Sequence, residues 1–146
     1  MKDKNLTPAH ILLVEDNEGD ILLTLEAFDE SKFQTKVSIA RNGKEALDFL
    51  FKRGDFTDAQ KPDLILLDIN IPIFSGHEVL SEIKQDDDLK KIPVIVLTTS
   101  SNQKDIDKAY SFHCNSYIQK PLEMEEFIKA VVQIEEFWLQ LTTLSK

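Results

Sequence analysis

The strongest constraint on this chain is a set of short, uninterrupted apolar runs, each closed by a polar residue. Ile11-Leu12-Leu13-Val14 runs into Glu15-Asp16, Leu64-Ile65-Leu66-Leu67 into Asp68, and Pro93-Val94-Ile95-Val96-Leu97 into Thr98. A run of that length without polar alternation is a strand covered on both faces, the pattern of the interior of a parallel sheet. Val37-Ser38-Ile39-Ala40 alternates and suits a strand nearer an edge, and Ser116-Tyr117-Ile118-Gln119 is a weaker fifth strand. Between the runs, apolar residues recur at helical spacing. They are Ile21, Leu22, Leu25 and Phe28 behind a cap at Asn17; Ala46, Leu47, Phe49, Leu50 and Phe51 after the turn Asn42-Gly43; Val79, Leu80 and Ile83; and Ile106, Ala109 and Tyr110. Gly54 to Lys61 is a polar loop, and Lys120-Pro121 opens a last helix from Leu122 to Leu141. Fivefold alternation of strand and helix predicts the α/β class: a doubly wound, five-stranded parallel sheet with helices on both faces, joined by right-handed crossovers.

Length and charge narrow the function. A chain of 146 residues fits a single domain, expected over 1–146 with its core at about 9–140, a short polar leader and no output domain. The net charge of −9 disfavours nucleic-acid binding, which is driven by basic residues against phosphate. Cys114 is the only cysteine, so no internal disulfide forms. The leader lacks the apolar core of a signal peptide and no apolar run reaches membrane-span length, so a cytoplasmic protein is expected.

In a parallel open sheet all the carboxyl ends of the strands share one edge, where ligands bind. Glu15-Asp16, Asp68, Thr98 and Lys120 each follow a different predicted strand, so the architecture gathers three carboxylates, a hydroxyl and an ammonium group. Crowded carboxylates repel one another unless a cation neutralises them. All-oxygen ligation by a few carboxylates suits Mg²⁺, which commonly works beside phosphoryl groups. A metal on Asp16 and Asp68 leaves one Asp68 oxygen free to attack phosphorus, with Lys120 and Thr98 placed to hold phosphoryl oxygens. Taken singly, each residue has a plainer reading: helix N-terminal acids, a loop cap, a solvated lysine, an ordinary strand aromatic at Tyr117. Joint placement after four strands is what favours the functional one.

These residues, with Pro72 and Gly76 after Asp68, Tyr117, and the pair Lys120-Pro121, resemble the signature of response-regulator receiver domains of two-component signalling. The likeness runs from Ile11 to Trp138. Within that family the chain is most similar to single-domain regulators that partner phytochromes, through Ala46 to Gly54, Val96 to Ser100, and Glu136-Phe137-Trp138-Leu139. The resemblance implies a flavodoxin-like sheet of order 2-1-3-4-5 and phosphoryl transfer from a phosphohistidine of a sensor histidine kinase onto Asp68. It implies Mg²⁺ on Asp16, Asp68 and the Asn70 backbone carbonyl, with Glu15 acting through water. Thr98 is expected to move toward the phosphoryl group and Tyr117 to turn inward, changing the surface of the last two helices and strand. The expected domain is a phosphoacceptor for signalling, promoting only its own phosphorylation and dephosphorylation, with a downstream protein as target.

Two departures stand out. Glu15 occupies a position where many receivers have Asp, and His113-Cys114 stands where relatives often have Gly-Ala, so a positive φ there would strain the backbone. Two competing functions fit less well. A metal-dependent phosphatase needs a second acid two residues after its nucleophile, and that position is Asn70. A nucleotide binder needs a glycine-rich loop after the first strand, where Glu15-Asp16 stands. His10, His77 and His113 lack metal-ligand spacing. In the last helix Phe127, Ile128, Val131, Ile134 and Trp138 are expected to face the sheet. Val132, Phe137, Leu139 and Leu141 are then left partly outside as a homodimer surface.

Overall fold

The computed structural model describes residues 8–31 and 33–145, with side chains described through Leu139. Five parallel strands, β1 (Ala9–Val14), β2 (Thr35–Ala40), β3 (Leu64–Leu67), β4 (Val94–Thr98) and β5 (Ser116–Gln119), form one sheet of order β2-β1-β3-β4-β5. Helices α1 (Glu18–Glu30), α2 (Gly43–Leu50), α3 (Gly76–Gln85) and α4 (Gln103–Ser111) fill the crossovers, and α5 (Met124–Ser145) follows β5. The expected architecture is the one observed.

The apolar runs owe their length to burial on both sides. Leu12, Val14, Ile65, Leu67, Val94 and Val96 point to one face, where α2, α3 and α4 cover them with Ala46, Leu47, Leu50, Val79, Leu80, Ile83 and Ala109. The alternate residues Ile11, Leu13, Leu64, Leu66, Ile95 and Leu97 point to the other, against Ile21, Ala27 and Phe28 of α1 and Phe127, Val131 and Ile134 of α5. Each interior strand thus has a period of two hidden inside a continuous apolar string. β2 and β5 lie at the edges and are only half-buried along most of their length. The polar positions of the alternating segment at 37–40 therefore reflect a real edge.

The helices start where side-chain oxygens accept free backbone N–H groups. Asn17 takes the Asp20 N–H at 2.9 Å, Asn42 the Glu45 N–H at 2.7 Å, Ser75 the Glu78 N–H at 3.2 Å and Asn102 the Lys104 N–H at 2.8 Å. The last helix begins at Met124, two residues later than expected, leaving Leu122 99% exposed in the preceding loop.

One placement on α5 needs correction. Leu139, expected partly outside, is 2% exposed and belongs to the core between α1 and α5. The buried stripe advances in steps of four through Phe127, Val131, Glu135 and Leu139, so the covered face is rotated slightly from the one the apolar spacing suggested. Val132 is half-buried and Phe137 is 59% exposed. Leu141 lies outside the residues whose side chains are described.

Candidate functional site

Backbone pairing continues one residue beyond three of the strands and fixes the site's anchor points. The Glu15 N–H donates to the Ala40 carbonyl at 3.0 Å, the Asp68 N–H to the Val14 carbonyl at 3.0 Å and the Lys120 N–H to the Thr98 carbonyl at 2.7 Å. Glu15, Asp68 and Lys120 are therefore as rigidly placed as strand residues while standing outside the apolar layer. All three are buried, at 3%, 7% and 6% exposure, and Thr98 is fully buried.

Their side chains converge. The Lys120 ammonium donates to Glu15 Oε2 at 2.7 Å, to Asp20 Oδ2 at 2.8 Å and to Asp68 Oδ2 at 3.0 Å. The Asn17 N–H reaches Glu15 Oε1 at 3.1 Å and the Asn70 N–H reaches Asp68 Oδ1 at 3.3 Å. On the other side, α3 packs so close that a Cβ on Gly76 would collide with the Asp68 carbonyl and the Ile69 backbone. Glycine there is a condition for the helix to approach the strand end.

Charge is out of balance. Among the described residues, Glu15, Asp16, Asp20 and Asp68 face a single ammonium, and Glu15, Asp16 and Asp68 each offer an oxygen within 4.8 Å of the other two. Burial pushes the Glu15 carboxyl up to about 7, repulsion from Asp68 adds to this, and Lys120 only partly opposes it. Burial would also raise Asp68, but hydrogen bonds from Glu15 and Thr98, together with Lys120, hold it below the usual range. Burial likewise disfavours the Lys120 charge, and the bonds to Asp20 and Glu15 and the field of Asp68 outweigh it, raising its pKa. The crowding thus favours the protonated form of Glu15 and the ionised form of Asp68. An oxygen cluster that is short of positive charge, with Asp16 exposed at its mouth, has the donor set of a divalent-cation site.

Of the residues expected from sequence, Glu15, Asp16, Asp68, Thr98 and Lys120 are brought together. Asp20 was missed. Its signal is its position four residues after Asp16, one turn along the same side of the chain entering α1.

A profile of the response regulator receiver domain matches residues 11–132. The chain belongs to that family. It is 44% identical to the response regulator Rcp1 of Synechocystis sp. over 144 residues, which is 99% of this chain and 98% of that one. The crystal structure of the phosphorylated cyanobacterial phytochrome response regulator RcpA superposes with a TM-score of 0.89 at 47% identity, covering 91% of this chain and 95% of the other. The Mn²⁺-bound form of Rcp1 gives a TM-score of 0.87 at 45% identity, covering 90% and 95%.

In this receiver the Tyr117 ring stands half-buried, and its hydroxyl already donates to the Ser100 carbonyl at 2.9 Å. The Thr98 hydroxyl oxygen accepts from the Ser100 N–H at 3.4 Å. No helix among the described residues is long and apolar enough to cross a membrane.

Proposed function

We propose that this receiver is a phosphoacceptor working in the cytoplasm, which takes a phosphoryl group onto Asp68 from a phosphohistidine of a sensor histidine kinase. The observation that supports this best is the buried Asp68 carboxylate held at 3.0 Å by the Lys120 ammonium at the carboxyl edge of the sheet. An Asp68 oxygen attacks phosphorus, the P–N bond to the donor imidazole breaks with its electron pair passing to that ring nitrogen, and the ring leaves as neutral imidazole, keeping the proton already on its other nitrogen. Lys120 and the Thr98 hydroxyl receive the phosphoryl oxygens, with Lys120 turning one of its three N–H bonds from carboxylate to phosphoryl. Positioning and charge stabilisation supply most of the rate. Asp16, Asp68 and the Asn70 backbone carbonyl would hold Mg²⁺, and Glu15 would reach it through water. The ion supplies positive charge that neutralises the carboxylates and the incoming phosphoryl group.

Several exposed apolar residues sit beside this edge and suit a kinase surface: Leu22 on α1, Ile73 and Phe74 after Asp68, and Leu122 after Lys120-Pro121. The likeness to RcpA, a cyanobacterial phytochrome response regulator, favours a phytochrome-like kinase as donor. Output runs through protein contact at α4, β5 and α5, to a downstream protein or to a second copy through Val132 and Phe137. The domain catalyses only its own phosphorylation and dephosphorylation. The test is transfer from a radiolabelled, autophosphorylated phytochrome-type kinase. Label moving to the wild type and not to Asp68→Asn is expected; label retained on the kinase at every receiver concentration would overturn the choice of donor.

A further inference from the structure

Ser100, just beyond β4, has all its polar groups engaged. Its N–H points to the Thr98 hydroxyl oxygen at 3.4 Å and its carbonyl accepts from Tyr117. Its own hydroxyl donates to Asp105 Oδ2 at 2.6 Å. One residue therefore touches both switch side chains and the first turns of α4. Asp105 is in turn bonded through its other oxygen, at 3.2 Å, to Nε2 of His77 in the first turn of α3. The chain His77, Asp105, Ser100 bridges two helices and ends on Thr98 and Tyr117.

His77 is hard to explain by packing. It is 5% exposed, and its Nδ1 has no hydrogen-bond partner. A buried ring nitrogen without a partner costs free energy that a leucine or methionine in the same space would avoid. With no acceptor at Nδ1, the hydrogen sits on Nε2, aimed at Asp105. This fixes which carboxylate oxygen is left for Ser100. Hydrogen bonds from Ser100 and His77 keep Asp105 below the usual carboxylate range, so it stays an ionised acceptor for both.

We infer that His77 and Asp105 are positioning residues for the switch, holding Ser100 where Thr98 and Tyr117 meet it and so favouring the inward arrangement. This rests on the receiver reading above, and two measurements separate them. The first needs no phosphodonor: amide hydrogen exchange at Ser100. His77→Leu and Asp105→Ala should speed exchange roughly three- to tenfold, the range of coupling changes in such networks. His77→Gln, which returns an N–H near the Nε2 position, should exchange like the wild type. The second is the rate of Asp68 phosphorylation by acetyl phosphate with Mg²⁺, where His77→Leu should slow labelling and His77→Gln should restore it. In a His77→Leu background, Ser100→Ala should add little further loss, because the link is already cut. A purely structural histidine predicts the opposite order, with leucine at least as good as glutamine in both assays, and that order would overturn the inference. So would full additivity of His77→Leu and Ser100→Ala. Failure of the wild type to label would count against the receiver reading alone, since the exchange measurement stands without it.

Discussion

Lys120 donates three hydrogen bonds to three carboxylates from a position 6% exposed, and two opposite effects follow from its removal. Lys120→Met takes away the ammonium that the three carboxylates share. Phosphorylation of Asp68 should fall by roughly two to three orders of magnitude, as for other lost electrostatic donors. Divalent-cation affinity should rise, because an ammonium no longer competes for the same oxygens; isothermal titration with Mg²⁺ and Mn²⁺ measures it. The second residue-scale consequence is a pH dependence. The folded-state pKa of Glu15 is raised from the model-peptide value of 4.5 to about 7, so folding takes up a proton between those values. Its contribution to stability is complete below about pH 4.5 and is lost as pH rises through about 7. A bound cation substitutes for that proton, so the rise in Tm on adding Mg²⁺ should be larger at pH 7.5 than at pH 5.5. Glu15→Gln should flatten the difference. His10 acts with the opposite sign: burial lowers its pKa, so its stabilisation falls as pH drops below about 6.5. The Mg²⁺-induced shift isolates Glu15 from it.

At the scale of elements, legibility followed burial. β1, β3 and β4 are covered on both faces, and their apolar strings leave no other reading. β2 begins at Thr35, two residues before the alternating segment, because backbone pairing with β1 at Ala9 and His10 adds Thr35 and Lys36, whose side chains carry no apolar signal. Leu139 was misplaced because neighbouring apolar positions on a long helix differ by only a fraction of a turn, and contact with α1 decides which is covered. Lys120 was found from its place after a strand; Asp20 was not, since acids in a first helical turn are common for dipole reasons alone. Among the described residues, backbone strain was legible at one of three non-glycine positions of positive φ. His113 has the positive φ expected of a site where glycine is usual, at 66°, while Lys52 and Ile73 also lie at positive φ with no such warning. His113 is exposed, and the left-handed region costs a non-glycine residue about 1 kcal/mol. His113→Gly should therefore raise the midpoint of urea unfolding slightly without changing the slope.

At the scale of the molecule, the sheet is a rigid frame that brings four strand ends to one edge. Phe137 is 59% exposed and stacks edge-on against Trp138 at 5.4 Å, an aromatic pair held at the surface of α5. If that surface joins two copies, light scattering at micromolar concentration should give twice the monomer mass, and Phe137→Glu should halve it without lowering Tm. A monomer at every concentration, with or without a phosphoryl group, would assign the pair to another partner. The central claim is nearer the sheet edge and has a more direct test. The protein is incubated with acetyl phosphate and Mg²⁺, and the modified residue is mapped by mass spectrometry. One phosphoryl group on Asp68, lost in base, absent with chelator and absent from Asp68→Ala, is the predicted result. Modification that survives Asp68→Ala, or none at all under conditions where Mg²⁺ binds, would contradict it.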